Sequence, residues 1–185
     1  MKDYIKLSNE KAYQLINSGA LFLVSSVSKQ GEFDIAPIAW HRPIDYDKTT
    51  RLLFVCDKAH KTYQNILETN EFALSLPDIS QLSLVKELGS CSGTNTNKID
   101  NFKIETIDTE FINCKLPDDC IGYIECKVYK IIDDGEVALI FGESVHTKVD
   151  TNVYSGRLLT ENEQCKPIFH LAGKAFATNS DVIYK

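Results

Sequence analysis

The residues best suited to chemistry in this 185-residue chain lie in the stretch Asp34-Ile35-Ala36-Pro37-Ile38-Ala39-Trp40. Ala36 and Ala39 are small, so a flat ligand can approach the main chain there. Pro37 cannot donate a backbone hydrogen bond, which places it at a strand edge, start or bulge. Free amides and carbonyls of this stretch could meet the polar edge of a flat ring system, with Trp40 covering the ring or walling the pocket. The same features also suit an edge strand with a bulge and no ligand.

A second candidate is His60-Lys61-Thr62, just ahead of a helical pattern. A helix N-terminus presents free amides and the positive end of its dipole, which suits a phosphate. Lys61 adds charge and Thr62 a hydroxyl, although Thr62 could serve simply as an N-cap. Ser90-Cys91-Ser92-Gly93 with Lys98 could close over an anion, because glycine permits close backbone approach and lysine supplies charge. A solvated loop explains those residues equally well. His170, in His170-Leu171-Ala172-Gly173-Lys174, is a candidate on the substrate side, or a polar residue at the end of a final strand.

These residues need elements to hold them. Ser8 as N-cap with Ala12, Leu15 and Ile16 predicts a short helix stopped at Gly19. Strands follow at 21–27 and 33–40, joined by a turn at Lys29-Gln30-Gly31-Glu32; His41-Arg42-Pro43 leaves the strand. A mostly buried strand is expected at 51–56, a helix at 62–71, a strand at 72–76 ended by Pro77, a helix at 79–88 and a loop at 89–93. Two long strands, 121–132 and 137–149, flank Asp133-Asp134-Gly135, a strong hairpin signal. Strands that follow one another without regular helical crossovers predict a mainly β protein, an antiparallel barrel with short helices, as one domain over residues 1–185.

Composition narrows the field. The net charge is −6 with no basic stripe, which argues against nucleic acid as a partner. No apolar run reaches the roughly 18–20 residues that span a bilayer, and the N-terminus lacks a signal-peptide layout, so a cytoplasmic protein is expected. None of the six cysteines forms a C-x-x-C pair, and the four histidines are scattered, so no metal site is expected. Gly-x-Gly-x-x-Gly, Walker, Gly-x-Ser-x-Gly and His-Glu-x-x-His motifs are absent.

Taken in order, the motifs resemble the flavin reductase-like family with the FMN-binding split-barrel fold, particularly its flavoredoxin-type members. Ala36-Pro37-Ile38-Ala39-Trp40 is similar to the family's Ala-Pro-x-(Ser/Ala)-Trp element. Lys61-Thr62 with Asn65-Ile66 resembles Lys-x-Thr…Asn-Ile, and Phe72 to Pro77 resembles the strand ending in Asn-Leu-Pro, with Ser75 in place of the asparagine. Ser92-Gly93 with Lys98 resembles Ser-Gly…Asp-Lys-Phe. Ile124-Glu125-Cys126-Lys127-Val128 and Leu139-Ile140-Phe141-Gly142-Glu143 match its Leu-Glu-Cys-x-Val and Leu-Phe-x-Gly-Glu strands. Asn97 and Ile99 replace acidic and aromatic neighbours of the lysine. Val137 stands where many members carry a histidine, so no proton donor is implied there.

The resemblance implies an FMN-bound homodimer with flavin near the interface. Pro37, Ile38, Ala39 and Trp40 would then meet the ring, Cys56 and Asp57 the ring or ribityl chain, and Lys61, Thr62, Ser92 and Lys98 the phosphate end. The implied activity is that of an FMN-dependent oxidoreductase taking hydride from NADH or NADPH at flavin N5, so no protein nucleophile is needed. Two alternatives share the fold. One is a flavoredoxin-type carrier passing electrons to a protein partner. The other is a non-catalytic flavin- or haem-binding protein, for which His146 and His170 are the axial candidates.

Overall fold

A computed structural model describes residues 19–45 and 48–179. The helix expected around Ser8 to Ile16 lies outside the described residues. Strands β1 (Phe22–Val27) and β2 (Phe33–Ile38) form the expected hairpin, with Gly31 at φ 83° in its turn. They continue with β3 (His41–Asp45), β4 (Arg51–Asp57), helix α1 (Lys61–Thr69) and β5 (Glu71–Leu76). A short 3₁₀ turn leads into α2 (Leu82–Ser90), followed by α3 (Lys98–Phe102), β6 (Thr106–Asp108) and β7 (Lys115–Pro117). The long pair β8 (Gly122–Asp134) and β9 (Val137–Val149) precedes a small C-terminal hairpin, β10 (Phe169–Ala172) and β11 (Ala175–Ala177).

Seven strands make one antiparallel sheet in the order β2-β1-β5-β8-β9-β4-β3. The two outermost strands are consecutive in sequence, linked only by Ala39-Trp40, so the sheet curls towards closure as a barrel. Alternation decides what fills it. Val24, Ile38, Leu52, Phe54, Cys56, Phe72, Leu74, Cys126 and Ile140 point inward with Ile66 of α1. Phe54 and Phe72 meet edge to face with centroids 5.1 Å apart. Gly142 is required beside them, since a Cβ there would lie 2.4 Å from the Phe72 ring. A second cluster, Leu21, Leu23, Ile35, Val85, Leu88 and Ile168, packs α2 against the outside of β1 and β2.

The structure corrects four local expectations. The strand expected over 33–40 is shorter. Pro37 keeps register opposite Leu23, and the strand stops after Ile38. β2 ends the sheet order, the kind of edge position where proline is tolerated. His41-Arg42-Pro43 does not leave the sheet but begins β3, paired with β4 and shifted in register after Pro43. α2 runs through Gly89 and Ser90, so the expected loop begins at Cys91. The β8–β9 loop is Gly135-Glu136 rather than Asp-Gly, with Asp134 opposite Val137. Gly135 alone has positive φ, 61°, as a type II′ turn requires. Among the described residues, no helix is long and apolar enough to cross a membrane.

Candidate functional site

The link between β2 and β3 is Ala39-Trp40, where the sequence places a ligand wall. Ile38 sends its side chain into the barrel, so its main chain and that of Ala39 form the surface. The carbonyl of Trp40 accepts from the Val55 amide at 2.9 Å, which ties the link to β4. The Trp40 indole stays 53% exposed.

At the far end of β4, Asp57 turns the chain into α1. Its Oδ1 accepts from Ala59 N at 2.8 Å, and its carbonyl accepts from His60 N at 3.1 Å. His60 is the N-cap but makes no side-chain cap bond, and no acidic residue sits in the first turn. The helix dipole is thus left without protein anions of its own first turn. Lys61 opens the helix, with its ammonium 2.5 Å from Glu32 on the β1–β2 turn. The Cys56 side chain lies in the barrel core, and burial pushes its thiol up to about 12. A ligand contact at this position therefore falls to the main chain.

Thr62 and Lys98 converge on Asp34, the first residue of the expected wall segment, to which the sequence assigns no role of its own. Asp34 is 2% exposed and Lys98 3%. Thr62 Oγ1 donates to Asp34 Oδ2 at 2.8 Å, and the Lys98 ammonium lies 3.0 Å from Oδ1. Lys98 also donates to the Ile35 carbonyl at 2.9 Å. Gly93 presses on the same carboxylate, where a Cβ would stand 2.1 Å from Oδ1. Lys98 was expected to face an anionic ligand directly. Instead its charge is spent on Asp34, because a buried ammonium requires a counter-ion. Ser92 is exposed, and its hydroxyl accepts from Thr94 N at 3.2 Å, shaping the loop. The signal for Asp34 was an acid in an otherwise apolar strand, a type rarely buried unless paired.

Lys61, Glu32, Phe33, Gly93 and Asn95 line a trough of about 440 Å³. A more open depression of about 530 Å³ lies by Lys29 and Gly31. Its carboxylates, Glu68 and Glu71, accept from the Lys29 and Asn113 amides, so it offers an anion no welcome. The remaining expected residues lie elsewhere. His170 sits in the β10–β11 hairpin, its Nε2 3.0 Å from the Gly173 carbonyl and its ring against Phe176. His146 Nδ1 is 3.0 Å from the buried Glu125. Cys91 is half-buried with a free thiol. Among the described residues, no three His, Cys, Asp or Glu side chains group as a metal site would require.

The flavin reductase like domain matches residues 17–168. The uncharacterized protein YddH of Escherichia coli K12 is 24% identical over 183 residues, covering 97% of this chain and 96% of its own. Flavoredoxin of Desulfovibrio vulgaris (Miyazaki F) superposes with a TM-score of 0.83 at 20% identity, over 100% of this chain and 97% of its own. An FMN-binding domain of a flavin reductases-like enzyme from Shewanella baltica OS155 gives 0.80 at 24% identity, over 97% and 95%. The family match takes in β1 to β9, the wall, the α1 N-terminus and the Asp34 cluster alike, and the chain belongs to the flavin reductase-like family of split barrels.

Proposed function

We propose that the protein binds FMN and serves as a flavin-dependent oxidoreductase that takes hydride from NADH or NADPH. The observation that carries this reading is a helix start without a side-chain cap, headed by Lys61 and locked through Thr62 to the strand that forms the wall. A flat ring with a phosphate at the end of a flexible tail fits such a pair of surfaces. Bound FMN would supply two-electron chemistry at N5.

The chain's own residues bind and orient. The 37–40 main chain would meet the polar edge of the ring, and Trp40 would cover one side. Lys61 and the first-turn amides of α1 would hold the phosphate, and Ser92 with Gly93 would shape the loop beside it. His170 is assigned no proton transfer. Its hairpin is bridged at Phe169 to Ala20, just ahead of β1, and we keep it as the substrate-side candidate.

The assembly we propose is a homodimer. The outward side of β4 and β9 carries Leu53, Val55, Leu139 and Phe141, all half-buried, with Tyr129 edge-on to Phe141 at 6.0 Å. An apolar sheet face of this kind is suited to a second copy, as light scattering would register.

Absorbance spectra of the purified protein with added FMN test the cofactor. Flavin bands that bleach promptly with anaerobic NADH or NADPH support the reductase. Bands that persist favour flavoredoxin-type transfer to a protein partner, and failure to take up FMN overturns the reading. Glu32→Gln provides a finer check. A ligand phosphate must compete with Glu32 for Lys61, so removing that carboxylate is expected to tighten FMN binding about two- to fivefold, the scale of an exposed ion pair. Fluorescence titration would register it, and unchanged affinity would remove Lys61 from the phosphate site.

A further inference from the structure

We infer that Asp34 is the positioning residue of the phosphate end, and that the Thr62 side chain and Lys98 act through it rather than on the ligand. The inference rests on the FMN reading and deepens it.

Proton counting carries the first half. A threonine hydroxyl has one hydrogen, and that of Thr62 is given to Asp34 Oδ2 at 2.8 Å. A phosphate dianion only accepts, so this hydroxyl has nothing left to donate. Thr62 can serve a phosphate through its backbone amide alone. Charge counting carries the second half. The Lys98 ammonium is neutralised by Asp34 at 3.0 Å, and one of its hydrogens goes to the Ile35 carbonyl. The pair is almost fully buried, so it contributes little net field to a ligand outside it.

What the cluster does is join four segments. Asp34 belongs to β2, three residues before Pro37 and the wall. Thr62 belongs to the first turn of α1, Gly93 to the loop that follows α2, and Lys98 begins α3. One carboxylate therefore sets the distance between the ring wall and the phosphate-binding amides. Misplacing either end of a ligand that spans both surfaces forfeits binding energy.

The two possible roles of Asp34 predict opposite signs. If it were only a negative charge near a phosphate, Asp34→Asn would tighten FMN binding, more so because Lys98 would lose its counter-ion. As a positioning residue, Asp34→Asn weakens FMN binding, because a neutral amide leaves the buried Lys98 ammonium without its counter-ion and loosens the joint between β2, α1 and α3. The expected loss is roughly tenfold or more, the scale of one broken buried charged hydrogen bond. Riboflavin, which lacks the phosphate, should lose less than about threefold. A purely structural defect would move both ligands together.

The test is fluorescence titration of wild type, Asp34→Asn and Thr62→Val with FMN and with riboflavin, beside thermal melts. Thr62→Val keeps the shape and removes one donor, so it answers if Asp34→Asn does not fold. A selective loss for FMN in Asp34→Asn supports the inference; in Thr62→Val it does so when the melting temperature also falls, since the bond to Asp34 is then lost, whereas a selective loss at unchanged stability would place the hydroxyl on the ligand and overturn it. Equal losses for both ligands, or tighter FMN binding, overturn it. A wild-type protein that binds neither ligand overturns the flavin reading, and the inference falls with it.

Discussion

Glu125→Gln is expected to destabilise the protein by about 3 kcal/mol, the scale of losing a buried charged acceptor that serves several donors. Glu125 is 1% exposed on β8. Its carboxylate accepts from the amides of Glu110 at 2.9 Å, Phe111 at 2.7 Å and Ile112 at 3.2 Å. His146 Nδ1 stands 3.0 Å away on the neighbouring strand β9. Three consecutive amides around one anion staple the 109–114 loop, whose Ile112 and Cys114 close a core cluster with Val27, Ala73 and Tyr123. Glutamine keeps the shape but turns an NH₂ towards at least one of these donors. Urea denaturation would measure the loss.

The pH dependence of that loss has a definite sign. Burial raises the Glu125 pKa, but the amides of Glu110 and Phe111, with His146 and the Ile112 amide, outweigh it and hold it below the ordinary 4.5. A carboxyl whose folded pKa is depressed takes up its proton more readily when unfolded. Its stabilisation is therefore complete above about pH 4.5 and is lost as pH falls through the folded value. The stability gap between wild type and Glu125→Gln should narrow as pH drops through that window. Other acids titrate in both proteins and cancel. A gap that stays constant down to the acid limit would show that Glu125 contributes packing rather than charge.

Most of the barrel was legible in the chain because alternation leaves a mark. Phe22 to Val27, Arg51 to Asp57 and the β8–β9 pair bury one side or both, and their apolar residues recur accordingly. The elements without that mark are short or polar. β3 is a five-residue edge strand with His41, Arg42 and Pro43, which reads as a loop because its partners lie on one side only. α3 has five residues, too few for helical periodicity, and β6 and β7 have three each.

The site divides along the same line. The α1 N-terminus and the 37–40 link were recognisable because each is a local property of consecutive residues. The Asp34 cluster was not, because its members stand 28 and 64 positions from Asp34 and only folding brings them together. Lys98 looked like a free cation in a glycine-containing loop for the same reason. Glu125, equally, was one acid in a strand until the loop that needs it came into view. In both cases a carboxylate inside an apolar run was the trace that burial left in the sequence.

Gly93→Ala follows from that cluster and should be severe for one added methyl group. The new Cβ would lie 2.1 Å from Asp34 Oδ1 and 2.6 Å from its Cγ. A carboxylate at the end of a free side chain could swing aside, but this one is held by Thr62 and Lys98. Either the loop moves outward or the ion pair opens, at an expected cost of about 2 kcal/mol in stability. On the FMN reading, affinity should fall roughly tenfold as well, because the loop and the α1 amides lose their common anchor. The decisive measurement is a double-mutant cycle with Asp34→Ala, which removes the atoms the methyl would strike. If the carboxylate is the obstacle, adding Gly93→Ala to Asp34→Ala should cost almost nothing further, in denaturation midpoint and in flavin affinity. Additive losses would place the strain in the loop backbone and separate Gly93 from the cluster. Near-complete coupling would mean that the glycine is there to let a buried carboxylate come close, which ties the 92–97 loop to β2.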